Sequence, residues 1–294
     1  MKKIYLILIL FAFIGCDNDN PTAELEEGRY HLVDNPNDYV QHFVYDFYKN
    51  YGTVIICNPE EQDYKYNFMD VNNINIVAPT QDEAILKAGF QLLDDVFLSK
   101  YDDTFKKKYL PFTIQLADTI QKASKLSTTY DYYCSYNLIA LGNINNDLIN
   151  MDDAKKSEIS KELNLDYWYT YIFSLREAIV MPTTFFKSGE EFYQKSFKYD
   201  LDLGLTSAEE AIDEVRSNGF MSYEGYDEGD YKYSEYPSES EDVYYFLQAI
   251  INMNKSELAT ILDTYPNVKF KYNLLVKAIL TQTGFDIQTL TSEN

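Results

Sequence analysis

NDYVQHFVYDFYKNYGTVIIC, residues 37–57, changes its periodicity once, and that change decides the fold class. Val40, Phe43, Val44 and Phe47 fall on one face, which predicts a helix over 37–50. Tyr51-Gly52 ends it. Thr53–Cys57, TVIIC, is then a short β-prone run and predicts a strand. Tyr64–Phe68 alternates and is expected to pair with that strand as a hairpin.

Working downstream, residues 80–100 read as a long amphipathic helix. Its expected buried stripe is Ile85, Ala88, Leu92, Leu93 and Val96, with Asp82 and Glu83 in the first turn, where negative charge suits the dipole. Pro111 precedes a strand, FTIQLAD, and Tyr130–Leu141 reads as another. Residues 142–151 hold Asn-rich turns. From 153 onward the periodicity is helical, in segments near 153–163, 166–181, 188–194, 206–217, 239–253, 255–264 and 270–283. Asn218-Gly219 closes one of these as a C-terminal cap should. Residues 222–240 are expected to be a Tyr-rich acidic loop. Strands come first and helices later, which predicts a single α+β domain over 37–294.

Upstream, Lys2 and Lys3 precede an unbroken apolar run, IYLILILFAFI, and then Gly15-Cys16. This order describes a secretory signal over 1–15. The apolar run is too short for a bilayer-spanning helix, which needs about 20 residues. Phe13-Ile14-Gly15-Cys16 resembles the bacterial lipobox, with Phe where Leu is usual. Cys16 would then be the acylated first residue of the mature chain, and several acyl chains on one residue anchor stably where one would not. Residues 16–36 read as a polar, acidic tether holding Pro21 and Pro36.

The formal charge is −22 over 294 residues, and it becomes more negative by two if Lys2 and Lys3 leave with the signal. That excess argues against nucleic acid and against docking on anionic lipid head groups. Aromatic residues reach 16%, with 28 Tyr and 18 Phe, which argues against disorder. Cys57 and Cys134 lie in apolar, β-prone runs. Two buried thiols are expected, with a disulfide as the alternative. His31 lies in the tether and His42 on the first helix, neither in a metal-ligand spacing. The chain has no CxxC, P-loop, dinucleotide fingerprint or GxSxG elbow.

Several segments in order carry a resemblance: FVYDFYKNYGTVIICNPEEQDYKYNF, YLPFTIQLADTI, YNLIALGNINN, SLREAIVM and NGFMSYEGY…SESEDVYYFL. Together they resemble the substrate import-associated zinc metallohydrolase lipoproteins of Bacteroidetes-type bacteria, over roughly residues 38–252. The resemblance implies a zincin-like α+β domain. In that family a helix bears HExxH, whose two His bind Zn²⁺ and whose Glu polarises water. Here the matching segment reads Arg176-Glu177-Ala178-Ile179-Val180. Val has no lone pair for a metal, and Arg does not lose its proton. Glu241 and Asp242 match the family's later acidic pair. The resemblance therefore implies a degenerate member, with no metal, no cofactor and no catalytic residue. Arg176 is expected either to pair with Glu241 or Asp242 or to lie on a solvated face.

The carboxylates from Glu224 to Asp242 match no EF-hand spacing and read as a solvated loop. Tyr223, Tyr226, Tyr231, Tyr233 and Tyr236 are expected to form an interface, with a sugar platform as the alternative. Tyr167, Trp168, Tyr169 and Tyr171 are expected to be core or groove lining. The family's setting implies a cell-surface lipoprotein of the outer membrane. It would accompany a Sus-type TonB-dependent nutrient importer and its substrate-binding lipoprotein, and bind a glycan or peptide substrate or the partners themselves. The acidic stretch behind Cys16 looks like the surface-export signal of these bacteria. A hydrolase with an atypical site and a purely structural subunit are the alternatives.

Overall fold

The computed structural model describes residues 30–65, 74–122, 125–196, 208–227 and 232–292. The chain divides into Met1–Val33 and Asp34–Asn294, and the architecture below is that of the second unit. Cys16, the signal segment, most of the tether, Tyr231 and the side chains of Tyr226 and Tyr233 lie outside the described residues. Among the described residues, no helix is long and apolar enough to cross a membrane.

Helix α1, Tyr39–Tyr51, starts where Asp38 accepts from the Gln41 amide at 3.0 Å. It ends at Gly52, left-handed with φ 74°, whose N–H returns to the Tyr48 carbonyl. Strand β1, Val54–Ile56, follows at once. Most of the expected hairpin partner, residues 66–68, lies outside the described residues. Glu61–Tyr64 is instead a short helix, α2, held by a capping box between Glu60 and Asp63. β1 pairs in parallel with β3, Thr113–Leu116. β3 in turn pairs in parallel with β7, Leu138–Leu141. The fourth strand, β6 at Tyr132–Cys134, runs antiparallel to β7, so the order is β1-β3-β7-β6. β3 and β7 are wholly buried, as central parallel strands are.

A second sheet is antiparallel and small: β2 at Ile74–Val77, β4 at Thr119–Lys122 and β5 at Lys125–Tyr130, in the order β2-β4-β5. Ile74, Ile76 and Ile120 cover Tyr64, Leu138 and Ala140 with it. Helix α3 spans Glu83–Val96, shorter than the expected 80–100. Its buried face is Leu86, Gly89, Phe90, Leu92, Leu93 and Val96, one position round from the expected Ile85 and Ala88. Gly89 explains the turn. A Cβ there would lie 2.8 Å from Ile144 Cγ2 and 3.2 Å from Leu116 Cδ1, so the helix crosses the sheet region at its glycine.

Helix α4, Asp103–Tyr109, brings Phe105 and Tyr109 inside. Helix α5, Asp153–Asp166, continues as a wider π-helical stretch over Tyr167–Leu175. That stretch places Tyr167, Trp168, Tyr171 and Ile172 inward. Trp168 and Tyr167 are fully buried against Phe97, Tyr101, Phe105 and Phe285. Each such side chain contributes about 1.5–3 kcal/mol by leaving water. The polar atoms of this aromatic core are matched. Trp168 Nε1 donates to the Tyr101 hydroxyl at 3.1 Å, and that hydroxyl donates to Asn164 Oδ1 at 2.6 Å.

The rest is mainly helical: α6 at Thr183–Lys187, α7 at Ala208–Ser217, α8 at Glu239–Asn252, α9 at Lys255–Thr264 and α10 at Pro266–Thr283. The helix expected over 188–194 is instead a run of turns. The expected loop at 222–240 holds a hairpin, β8 at Glu224–Asp227 with β9 at Lys232–Glu235. The architecture is α+β, with mixed strands in the first half and helices in the second.

Candidate functional site

Ser238 begins α8 with a capping box. Glu241 Oε2 accepts from the Ser238 amide at 2.7 Å and from its hydroxyl at 2.6 Å. Glu241 is thus spent on the helix start. Asp242 sits one residue on, facing the interior with Val243, Phe246 and Leu247, and is fully buried. A buried carboxylate needs partners. Lys271, from α10 and equally buried, supplies an ammonium to Asp242 Oδ2, and the Tyr193 hydroxyl donates to the same oxygen at 2.6 Å. The other oxygen, Oδ1, is buried without a hydrogen bond.

The rings of Phe220 and Phe185 lie 4.2 and 4.7 Å from the ammonium, and add cation–π attraction. Burial outweighs the Lys271 charge and pushes the Asp242 carboxyl up to about 6. Burial likewise lowers Lys271 and raises Tyr193, the latter helped by the Asp242 charge.

Tyr193 connects this cluster to an open cleft of about 860 Å³. Tyr169 and Phe173 from the π-helical stretch form part of its lining, with Val180, Phe186 and the Ser238–Ser240 start of α8. Val180 is 74% exposed. Its peptide group is held from both sides by one amide: Val180 N–H donates to Gln282 Oε1 at 2.9 Å, and Gln282 Nε2 donates to the Val180 carbonyl at 3.0 Å. The cleft offers aromatic and aliphatic surface with a few hydroxyls and the carboxylates of Glu190 and Glu239, which suits holding a ligand.

The residues marked in the sequence separate in space. The segment from Arg176 to Val180 is not helical. The π-helical stretch ends as Arg176 N–H bonds the Tyr171 carbonyl at 2.8 Å, and Glu177 turns left-handed with φ 48°. Arg176 donates to the Tyr171 hydroxyl at 3.2 Å and lies over the Tyr109 and Tyr171 rings. Of the two expectations for Arg176, the exposed face is the one seen; the pairing with Glu241 or Asp242 does not form, those acids being taken by Ser238 and by Lys271. Val180 lines the cleft, Asp242 lies beneath it, and Glu177 is exposed.

A zinc ion does not fit this donor set. Arg176 and Val180 offer no lone pair, Glu177 lies on an exposed turn, and Asp242 already holds an ammonium. Among the described residues no three His, Cys, Asp or Glu side chains converge to hold a metal.

Tyr236, expected at an interface, is buried with Ala211, Val215 and Phe220, and half-buried Tyr223 packs on the same cluster. His42 is a surface residue bonded to Asp34 at 2.7 Å. Cys57 and Cys134 are free thiols; Cys134 is buried as expected, whereas Cys57 is half-buried. Lys271 and Tyr193 escaped the sequence reading. Val268, Lys271, Leu275 and Ile279 step by three and four along α10, so a lysine on an apolar stripe was the available signal.

No family model matches the chain, and no curated protein matches it. Among solved structures, a Bacteroides caccae protein assigned as a zinc-binding metallo-peptidase is similar at 14% identity. The alignment covers 84% of this chain and 86% of that one, with a TM-score of 0.47.

Proposed function

We propose that the chain is a non-catalytic, surface-exposed lipoprotein that accompanies a Sus-type TonB-dependent nutrient importer. Its cleft binds substrate or a partner protein of the importer. The observation that carries the non-catalytic part is the state of Asp242. Its one hydrogen-bonded oxygen is shared by Lys271 and Tyr193, so the acid that would face a reacting centre is neutralised by the chain's own ammonium. Glu177 lies on an exposed left-handed turn and is not among the residues that line the cleft. The importer setting and the anchor at Cys16 rest on the ordered segments and the lipobox resemblance read from the sequence.

Two measurements test this. The full-length chain, purified in mild detergent from its native membranes, is expected to bring an importer pair with it. It is also expected to lose both membrane association and lipid labelling in Cys16→Ala. A free monomer would refute the accessory role. Metal analysis of the same preparation is expected to give no stoichiometric zinc. Zinc at one per chain, lost in Glu177→Ala, would overturn the non-catalytic reading.

A further inference from the structure

Lys271 and Asp242 meet in a dry, aromatic enclosure. Four rings surround the Lys271 nitrogen: Phe220 at 4.2 Å, Phe185 at 4.7 Å, Tyr193 at 5.5 Å and Phe246 at 5.7 Å. The two side chains are 1% and 0% exposed. Among the described residues no second acid pairs with Lys271 and no second cation with Asp242. One carboxylate oxygen is engaged, and the other, Oδ1, has no hydrogen bond. Desolvation therefore acts against both charges and is compensated on one side only. It raises Asp242, with Glu239 on the same helix adding to the rise, and it lowers Lys271. Both shifts favour the uncharged forms. A desolvated, neutral lysine amine is a nucleophile, and a neutral carboxylic acid is its electrophile.

Tyr193 supplies the third part. Its hydroxyl accepts from Lys271 Nζ at 3.4 Å and donates to Asp242 Oδ2 at 2.6 Å. Nitrogen, phenol and carboxyl oxygen thus close a ring through which a proton can pass. Tyr193 also lines the open cleft, which gives a released water a way out. Holding the two groups in contact is equivalent to an effective concentration of roughly 10⁵ M or more.

We propose that Lys271 and Asp242 condense to an amide that cross-links α10 to α8, with Tyr193 as the proton relay. Nζ attacks Cγ, and the Cγ–N bond forms. A nitrogen proton passes through Tyr193 to Oδ2. The Cγ–Oδ2 bond breaks, and Oδ2 leaves as water with its own proton and the relayed one. Oδ1, the oxygen without a partner, becomes the amide carbonyl. The step is a dehydration and needs no oxidant or co-reactant. The ion pair is its reactant, and it does not depend on the importer reading.

The test uses the full chain with Cys16→Ala, which carries no lipid mass, recovered from inclusion bodies in denaturant and so never folded. Refolded at about pH 8, it is expected to become lighter by one water within a day and to yield a branched tryptic peptide joining Asp242 to Lys271. Refolded at about pH 5, it is expected to keep its full mass, because a protonated acid beside a full ammonium holds one proton too many for attack. That acid-refolded chain is the one in which the stability of the ion pair itself is measured. Tyr193→Phe keeps the ring and is expected to slow the loss of water at least about tenfold. Lys271→Arg is expected to keep its full mass. A parent chain that is folded by circular dichroism and still at full mass after a day at the higher pH would overturn the proposal. So would a loss of water that persists in Lys271→Arg, or an unchanged rate in Tyr193→Phe.

Discussion

Lys271 and Asp242 are the two residues whose environment departs furthest from their chemistry. Each is fully buried, each is shifted against its charged form, and each has the other as its counter-ion. Removing one partner of such a pair costs about 3–5 kcal/mol, because the other is left charged and dry. Lys271→Met is therefore expected to lower the melting temperature sharply, while Lys271→Met with Asp242→Leu recovers most of the loss. A double variant no better than the single would show that the pair is not the source.

The pH dependence follows from the same burial. The folded Asp242 carboxyl titrates at about 6, above its usual 3.8. Between those values the folded chain holds a proton that the unfolded chain has released. The carboxyl's contribution to stability therefore falls as pH rises from about 4 to about 6. Melting temperatures across that window are expected to decline less in Asp242→Asn. Neither residue was legible as a pair, since nothing in one chain says which two apolar stripes will face each other. Asp242 was singled out by resemblance, and the cation it meets came from a helix 29 residues on.

At the scale of elements, the segment 153–181 shows where periodicity misleads. Its apolar pattern continues past Leu175, so the sequence reads as helix through Val180. The backbone has already widened over Tyr167–Leu175 to seat four large side chains inside, and it exits at Arg176. Glu177 then takes a conformation that costs an L-residue about 1–2 kcal/mol. Glu177→Gly is expected to stabilise the protein by about 1 kcal/mol, measured by urea unfolding. A loss of similar size would mean that the residue is helical after all, because glycine inside a helix costs about that much. The helices expected near 239–253, 255–264 and 270–283 were legible as elements; Ser238 and Asn254 cap the first two and Gly284 ends the third, which starts earlier, at Pro266. The pairing of β1 was not legible. A parallel partner 59 residues away leaves no turn signature between the strands, and the nearer Tyr64–Phe68 run drew the expectation instead.

For the whole molecule, sheet order decides the thiols. β1 and β6 are the two edges of the four-stranded sheet, so Cys57, just past β1, and Cys134, in β6, are separated by three inter-strand steps. That is about 14 Å, twice what a disulfide spans. Burial pushes the Cys57 thiol up to about 12 and Cys134 well above its usual range. Both are expected to resist a thiol reagent at pH 8 in the native chain and to react at once in denaturant. Immediate native reaction would contradict their burial. The α+β class was legible from strands preceding helices and the free thiols were the favoured expectation; the sheet order, which supplies the reason they cannot pair, was not legible. The Gln282 clasp has a mechanical consequence of its own. Gln282 and Lys271 stand on the same rod, α10, one gripping the rim of the cleft at Val180 and the other bracing its floor through Tyr193. Rim and floor are therefore tied to one helix, so a displacement of α10 would carry both together.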